Sequence, residues 1–452
     1  MMEAMRRTKI VATLGPASHD RVAALVDAGV SMVRVNCSHL STDEVSATVR
    51  SARAQSSTVG ILVDVQGPKL RLIDGLDARG TEVVLWERGY TDDGPMVGFD
   101  PQAVGVEAGE RILVNDGRIV LRAVEVLPHM VRAEVLVPGM AEGKRGVNLP
   151  DTNVNMRMFS DKDQADIAAA VDSGADWIAL SFVQRAEDVL EARRMVPDDV
   201  RILAKIERPQ ALRVLGEICG VADGVMAARG DLGVEIPFAR LPVAQRAIAD
   251  ASLRSGAMSI CATEMLESMI SATRPTRAEV SDVANAVRDG FDCVMLSAET
   301  AIGHDPIGTV RAMAQILEEA DSLDGFVSPF ADHNPNAAAV AASAATLAGR
   351  LKARAILAIT YTGHNAELLS ACRPNVPIIA ATEDERVVTR LMSRFGVKPV
   401  LAERPDSTDE SISYAIDAAV AAGHLNRGDL IIVAMSRISP RSDTDTIFVH
   451  RV

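Results

Sequence analysis

Residues 202–231 read ILAKIERPQALRVLGEICGVADGVMAARGD. Two short apolar runs, Ile202 to Lys205 and Gly224 to Ala227, flank a helix-like stretch. Each run hands over to charged residues, Lys205 and Glu207 after the first and Asp231 after the second. A strand buried on both faces reads as such a run, and a helix between two of them makes a βα repeat. The same alternation extends outward, from Lys9 to Asp64 and from Asp163 to Ser297. Further candidate strands are Lys9 to Thr13, Met32 to Val35, Ile61 to Asp64, Trp177 to Ser181, Ser259 to Ala262 and Cys293 to Leu296. With the first two they make about eight, the number that closes a parallel barrel. Capping boxes, Ser160 with Asp163 and Thr276 with Glu279, mark two helix starts, and Gly174 and Gly290 supply stops.

The helical periodicity disappears between Lys69 and Val147. There Ile112, Val114, Ile119 and Leu121 alternate on either side of Asn115-Asp116-Gly117, a hairpin signal. After about Phe330 an Asn/Pro-containing stretch, Asp332 to Asn336, leads into a second αβ series with strands near Ala355 to Thr360, Ile378 to Ala381 and Leu430 to Ala434. The predicted fold class is α/β. A (β/α)8 TIM barrel is built from residues 1–67 and 148–330, a small β-barrel lid domain is inserted at 68–147, and a doubly wound α/β domain follows at 331–452.

The chain has 452 residues, 48% hydrophobic and 24% charged, with a formal net charge of −14. That acidity argues against nucleic-acid binding, since phosphate backbones are held by basic surfaces. No apolar run reaches membrane-span length and Met1 to Lys9 lacks a signal-peptide core, so no membrane association and a cytoplasmic location are expected. Cys37, Cys219, Cys261, Cys293 and Cys372 are scattered without C-x-x-C spacing and read as free thiols.

Polar residues bunch where the predicted strands end: Arg34 and Asn36, Asp64, Lys205 and Glu207, Asp231, Thr263. In a (β/α)8 barrel such positions converge on one rim, where active sites are built. An isolated Lys-x-Glu is an ordinary solvated pair. Lying directly after the run Ile202 to Ala204 makes it a site candidate.

Several segments, in this order, resemble the signatures of the pyruvate kinase family: Thr8 to Ser18 (TKIVATLGPAS), Met32 to His39 (MVRVNCSH), Val147 to Pro150 (VNLP), Ala228 to Pro237 (ARGDLGVEIP), Ala262 to Met269, Arg274 to Val287 (RPTRAEVSDVANAV) and Met295 to Thr300 (MLSAET). The resemblance implies phosphoryl transfer from phosphoenolpyruvate to ADP, giving pyruvate and ATP. Glu207 and Asp231 are similar to the family's Mg²⁺ ligands, with Mn²⁺ an alternative; a hard cation takes few carboxylates and keeps water or substrate oxygens elsewhere. Lys205 is similar to the catalytic lysine and Arg34 to the arginine that grips the phosphate. Thr263 corresponds to the threonine that helps protonate the enolate through a relay. Backbone N–H groups of Arg229, Gly230 and Asp231 correspond to the carboxylate-binding turn, and Ser181, Phe182 and Ser297 to pocket lining. For the nucleotide the family implicates Thr13, Pro16, Asn36, His39 and Arg71, with Lys144 or Arg145 and Asp116 on the lid, which excludes water from the transfer.

Two departures matter. Of the family's K⁺ site, Asn36, Ser38 and Asp64 remain, but Val65 replaces a Thr and Lys69 a Glu. Gln66, Lys69 and Leu72 combine as in K⁺-independent members, so K⁺ is expected to be unnecessary, the Lys69 ammonium taking its place. In the C-terminal domain Thr360, Thr362 and Gly363 resemble an effector-phosphate loop, but Tyr361 and the segment Ser436 to Asp445 depart from members that respond to fructose bisphosphate. The resemblance implies a homotetramer. Two other readings stay open at this point: a phosphoenolpyruvate- or pyruvate-handling lyase on the same barrel, and an idle metabolite sensor.

Overall fold

In the computed structural model, residues 6–91, 94–322, 335–403, 407–436 and 445–452 are described. The segment Ser436 to Asp445 and the stretch Asp332 to Asn336 fall largely outside them. Eight parallel strands close a barrel: Lys9–Thr13, Met32–Asn36, Gly60–Val65, Trp177–Leu180, Arg201–Ile206, Gly224–Ala228, Met258–Ala262 and Cys293–Leu296. Each agrees with its predicted run to within a residue. Along every strand side chains alternate between two cores. Val11, Met32, Leu62, Ala179, Leu203, Met226, Ile260 and Met295 fill the barrel interior. Ile10, Val33, Ile61, Ile178, Ile202 and Val225 pack outward against the helices. That double burial is why these strands read as unbroken apolar runs. Both predicted capping boxes form, on helices Asp161–Asp172 and Arg277–Asp289, and Gly290 closes the second in the left-handed conformation.

A second closed barrel of seven strands, predominantly antiparallel, lies between the third and fourth strands of the first. Strands Arg111–Val114 and Ile119–Leu127 form the predicted hairpin, with Val114 paired to Ile119. Asp116 and Gly117, central in its turn, both have positive φ, which an Asp-Gly pair accepts at small cost. The hairpin tip reaches the main barrel: a Cβ on Gly117 would lie 3.5 Å from Val234, in the helix after the sixth strand.

The C-terminal sheet has the order Val397–Leu401, Ile378–Thr382, Ala355–Ile359, Leu430–Met435, Thr446–Arg451, with helices on both sides. The first and last of these strands were not anticipated. Val397–Leu401 carries Pro399, which demotes a run to an edge strand, where it sits. Thr446–Arg451 pairs antiparallel on the other edge. This layer covers the N-terminal ends of the barrel strands. There Lys9 Nζ donates to Val397 O at 2.6 Å, and Arg373 pairs with Asp292 at 2.9 Å.

Candidate active site

The alternation that fills the barrel also builds its rim. One step beyond interior-facing Met32, Leu62, Ala179 and Leu203, at the same parity, come Arg34, Asp64, Ser181 and Lys205, followed by Glu207. Parallel register sets them in a staircase around the rim, with Thr13 opposite Arg34, Arg34 opposite Leu62 and Asp64 opposite Ala179. The result is one connected network. Arg34 Nε donates to Asp64 Oδ2 at 2.8 Å, and its Nη1 to the Thr13 hydroxyl at 3.3 Å. Lys205 Nζ lies 2.8 Å from the Ser181 hydroxyl, 2.8 Å from Glu207 Oε1 and 3.3 Å from Asp64 Oδ2.

Burial raises the Asp64 carboxyl, but Lys205 and Arg34 overcome it and leave that carboxyl below its ordinary range. Burial likewise disfavours the Lys205 ammonium, yet Asp64 and Glu207 hold it above the usual lysine value, so it stays charged. Glu207 is pushed up to about 7 by burial, against the pull of Lys205 and with the help of Asp231. Its Oε2 accepts the Phe182 N–H at 2.7 Å. Oε1 is buried and, among the described residues, accepts no hydrogen bond of good alignment, although Nζ is near. Asp231 is near enough to act on Glu207 and lines a neighbouring cleft with Phe182 and Lys69; among the described residues its carboxylate shows no hydrogen bond or ion pair. Two neighbouring carboxylates with open lone pairs fit a hard divalent cation.

Thr263 is held at φ 69°, a conformation unusual for a β-branched residue. Its hydroxyl donates to Ala262 O at 2.6 Å and accepts the Gly230 N–H at 2.8 Å, so it sits directly over the Gly230 turn. The Arg229 side chain, by contrast, turns away from the cleft to pair with Asp282 and to reach Ala262 O at 3.2 Å. Among the described residues the buried Ser297 hydroxyl has no partner, and the Ser297 N–H donates to Glu299 at 2.6 Å.

Other expected residues lie further out. Thr13 is buried and donates to Leu296 O, so its hydroxyl belongs to the Arg34 network and not to an open nucleotide surface. Asn36 accepts the Ser38 N–H at the short turn Cys37–His39. Pro16 and His39 are exposed, as are Asp116, Lys144 and Arg145 on the insert, and Arg71 lies in an insert strand. Lys69 is not in the pocket of Asn36, Ser38 and Asp64 where the sequence placed its ammonium. It is exposed, with Nζ 5.9 Å from the centre of the Phe182 ring, because Arg34 and Lys205 already neutralise Asp64. In the C-terminal layer the Thr360 hydroxyl accepts the Gly363 N–H and Thr362 O accepts from Arg390; Gly363 is the N-cap residue of the helix His364–Ala371.

Three contributors escaped the sequence reading. Arg208, next to Glu207, donates to Leu149 O at 2.7 Å and pairs with Glu235 at 3.5 Å, and Asn148 donates to Glu235 at 3.0 Å. Glu235 thereby ties the closing strand of the insert to the helix that carries Asp231. Glu299 fixes both Ser297 and Leu266. Charged residues inside or beside the quoted motifs were the signal that could have found all three.

The family profile "Pyruvate kinase, barrel domain" matches residues 5–310, and "Pyruvate kinase, alpha/beta domain" matches residues 338–450. The chain belongs to the pyruvate kinase family. A pyruvate kinase of Agrobacterium vitis is 40% identical, covering 95% of this chain and 94% of its own. One from Methylorubrum extorquens is 38% identical over 96% and 94%. One from Geobacillus stearothermophilus is 37% identical over 98% of this chain and 80% of its own. The chain is accordingly a phosphotransferase that moves the phosphoryl group of phosphoenolpyruvate to ADP. Members of the family use Mg²⁺. Among the described residues no helix is long and apolar enough to cross a membrane.

Proposed function

We propose that this chain performs the family reaction with Lys205, Arg34 and Thr263 as its working side chains and with Mg²⁺, or Mn²⁺, held by Glu207 and Asp231. The observation that carries the reading is the Lys205 ammonium, 8% exposed, fixed between Asp64, Glu207 and Ser181 at the rim. A β-phosphate oxygen of ADP forms a bond to the phosphorus of phosphoenolpyruvate while the bond from phosphorus to the enol oxygen breaks. The cation supplies charge neutralisation at the phosphate oxygens. Lys205 neutralises charge on the group in transit from a site where it needs no reorganisation. Arg34, already oriented by Asp64, offers its remaining edge to the phosphate. The enolate then takes a proton at its methylene carbon through a relay anchored on Thr263. The Gly230 and Asp231 backbone, under Thr263, receives the substrate carboxylate, and Ser297 lines the pocket.

The nucleotide lies between the rim residues Pro16, Asn36 and His39 and the insert residues Arg71 and Lys144. Glu235 and Asn148 act as the tether about which the insert closes. Lys69, at the mouth of the cleft, supplies a fixed cation there, and K⁺ is not needed. Assembly is a homotetramer, the location is cytoplasmic, and an effector binds at Thr360, Thr362 and Gly363. Pyruvate formation from phosphoenolpyruvate should require both ADP and a divalent cation. Asp231→Asn should raise the cation concentration needed for half-maximal rate by at least roughly tenfold, as expected when one of few carboxylate ligands is lost. A folded wild type without ADP-dependent activity would refute the reading.

A further inference from the structure

The insert carries, away from the rim, a cluster that the reaction does not use. Among the described residues, only Glu87, Asp100 and His129 form a group of three His, Cys, Asp or Glu side chains whose ligand atoms all lie within 4.8 Å of one another. Glu87 closes the strand Glu82–Glu87, His129 stands in the turn between Ile119–Leu127 and Met130–Val137, and Asp100 lies in the loop after Met96–Val97. The strand Ile119–Leu127 runs from the tip at Asp116 and Gly117 towards His129. Its 9 residues put the cluster roughly 30 Å from the tip that meets the main barrel.

Main-chain bonds hold the three residues together without help from the imidazole. The Glu87 N–H donates to His129 O at 2.8 Å, and the His129 N–H donates to Asp100 Oδ1 at 3.1 Å, which also accepts the Gln102 N–H at 2.9 Å. Both carboxylates then converge on one ring nitrogen: His129 Nδ1 lies 2.7 Å from Glu87 Oε2 and 3.3 Å from Asp100 Oδ2. The Tyr90 ring stacks on the imidazole with centres 3.6 Å apart and holds its plane. A single proton on Nδ1 serves one acceptor well and leaves the second carboxylate without a donor. Among the described residues neither Glu87 nor Asp100 forms an ion pair with a lysine or arginine, so a neutral imidazole leaves two negative charges facing one point.

We propose that this cluster binds a divalent transition ion of the zinc class, with His129 Nδ1 and one oxygen each of Glu87 and Asp100 as ligands and water in the remaining position. Two negative charges match a dication, and the imidazole nitrogen favours zinc over Mg²⁺, which takes oxygen. Tetrahedral ligation at about 2.0–2.1 Å sets ligand atoms about 3.3–3.4 Å apart. The Asp100 separation already has that value, and the Glu87 side chain, 27% exposed, has to withdraw by about 0.6 Å. Asp100 Oδ1, held by two N–H groups, provides the outer bonds that orient a ligating carboxylate. The His129 side chain is 35% exposed, which leaves the ion a way in from solvent. A bound ion joins the turn at His129 to the loop at Asp100 and stiffens the insert. The site is separate from the rim and does not depend on the roles assigned there.

The test is zinc uptake by the full chain, measured by equilibrium dialysis with Mg²⁺ in excess, for wild type, Glu87→Gln and His129→Asn. Glutamine keeps the shape of Glu87 and removes its charge. Asparagine accepts the positive φ of 65° that His129 adopts. Wild type should retain one zinc ion more than either variant, and zinc should raise its melting temperature above theirs. Zinc that displaces Mg²⁺ at Glu207 and Asp231 is common to all three proteins and cancels in the comparison. The proposal is overturned if wild type takes up no zinc by about 100 μM free ion, beyond which affinity is too weak to specify a site. It is also overturned if a folded variant retains as much zinc as wild type, and either variant decides if the other misfolds.

Discussion

Replacing Lys205 by Met removes the ammonium while keeping most of the side-chain volume. In the resting protein Nζ is shared by Glu207 at 2.8 Å and Asp64 at 3.3 Å. Asp64 keeps Arg34, so the local loss falls on Glu207, whose carboxyl, already pushed up to about 7, rises further. For catalysis, a unit charge about 4 Å from the phosphoryl group at an effective dielectric of about 20 is worth about 4 kcal/mol, or about 10³ in rate. Only the part that is stronger in the transition state than in the bound substrate accelerates the step. Removal of one fixed donor elsewhere lowers turnover by about 10² to 10³, and the expected fall in kcat is therefore at least about 10².

The assay is pyruvate formation at saturating phosphoenolpyruvate, ADP and Mg²⁺, with the folded fraction measured by circular dichroism. A merely structural lysine would lower the melting temperature and leave the kcat of the folded fraction intact. The reading expects the reverse emphasis, with kcat falling at least about 10² and KM for phosphoenolpyruvate moving much less, since Arg34 remains to hold the phosphate. Lys205→Arg should recover part of the rate. A Lys205→Met protein that is folded and turns over within about threefold of wild type would remove Lys205 from the mechanism, because that change corresponds to under 1 kcal/mol.

Glu235→Ala leaves Arg208 buried without its carboxylate and Asn148 without its acceptor, which should lower stability by about 3 kcal/mol in chemical denaturation and raise KM for ADP; an unchanged denaturation midpoint would exclude the tether. Replacing K⁺ by a bulky organic cation should leave the rate unchanged, and Lys69→Glu should make it K⁺-dependent; a wild type active only with K⁺ would discard the role given to Lys69. Burial, reinforced by Arg6, pushes the Lys9 ammonium down to about 7 from an ordinary 10.5. Between those values the unfolded chain holds a proton that the folded chain has released, so this group's contribution to stability rises with pH across about 7 to 10 and is most unfavourable below 7. Lys9→Met should remove that rise when denaturation midpoints at pH 7 and pH 9.5 are compared, and parallel curves for the two proteins would contradict it.

The barrel and most of its rim were legible because one physical cause wrote both. Strands buried on two faces must be apolar until they emerge, so a charged residue at interior parity directly after such a run has to stand at the mouth. Arg34, Asp64, Lys205 and Glu207 all obey this. Arg229 and Lys69 fall outside this rule. Arg229 follows Val225 and Ala227 at outward parity, so its side chain pairs with Asp282 on a neighbouring helix while its backbone stays at the rim, and Lys69 lies beyond the last barrel residue, where no strand parity constrains its direction.

The opposite face was missed altogether, although it is written in the same way at the other end of the strands. Asp176, Asp223 and Asp292 each stand immediately before a strand, and each accepts at 2.8 Å the N–H of a residue on a neighbouring strand, Ile61, Ile202 and Ser259. Each also draws an arginine: Arg53 to Asp176, Arg193 and Arg201 to Asp223, Arg373 to Asp292. A buried carboxylate that only pinned strand starts would face a large desolvation penalty, and its arginine offsets it. At Asp176 and Asp292 the C-terminal layer completes that compensation, through the Thr389 hydroxyl and through Arg373 and the Phe395 N–H. At Asp223 both arginines come from the barrel, and the C-terminal layer joins in one step further out, through Glu367 on Arg201 at 3.5 Å. The same device therefore pins three strand starts and docks the C-terminal layer at each, directly at Asp176 and Asp292 and through a shared arginine at Asp223.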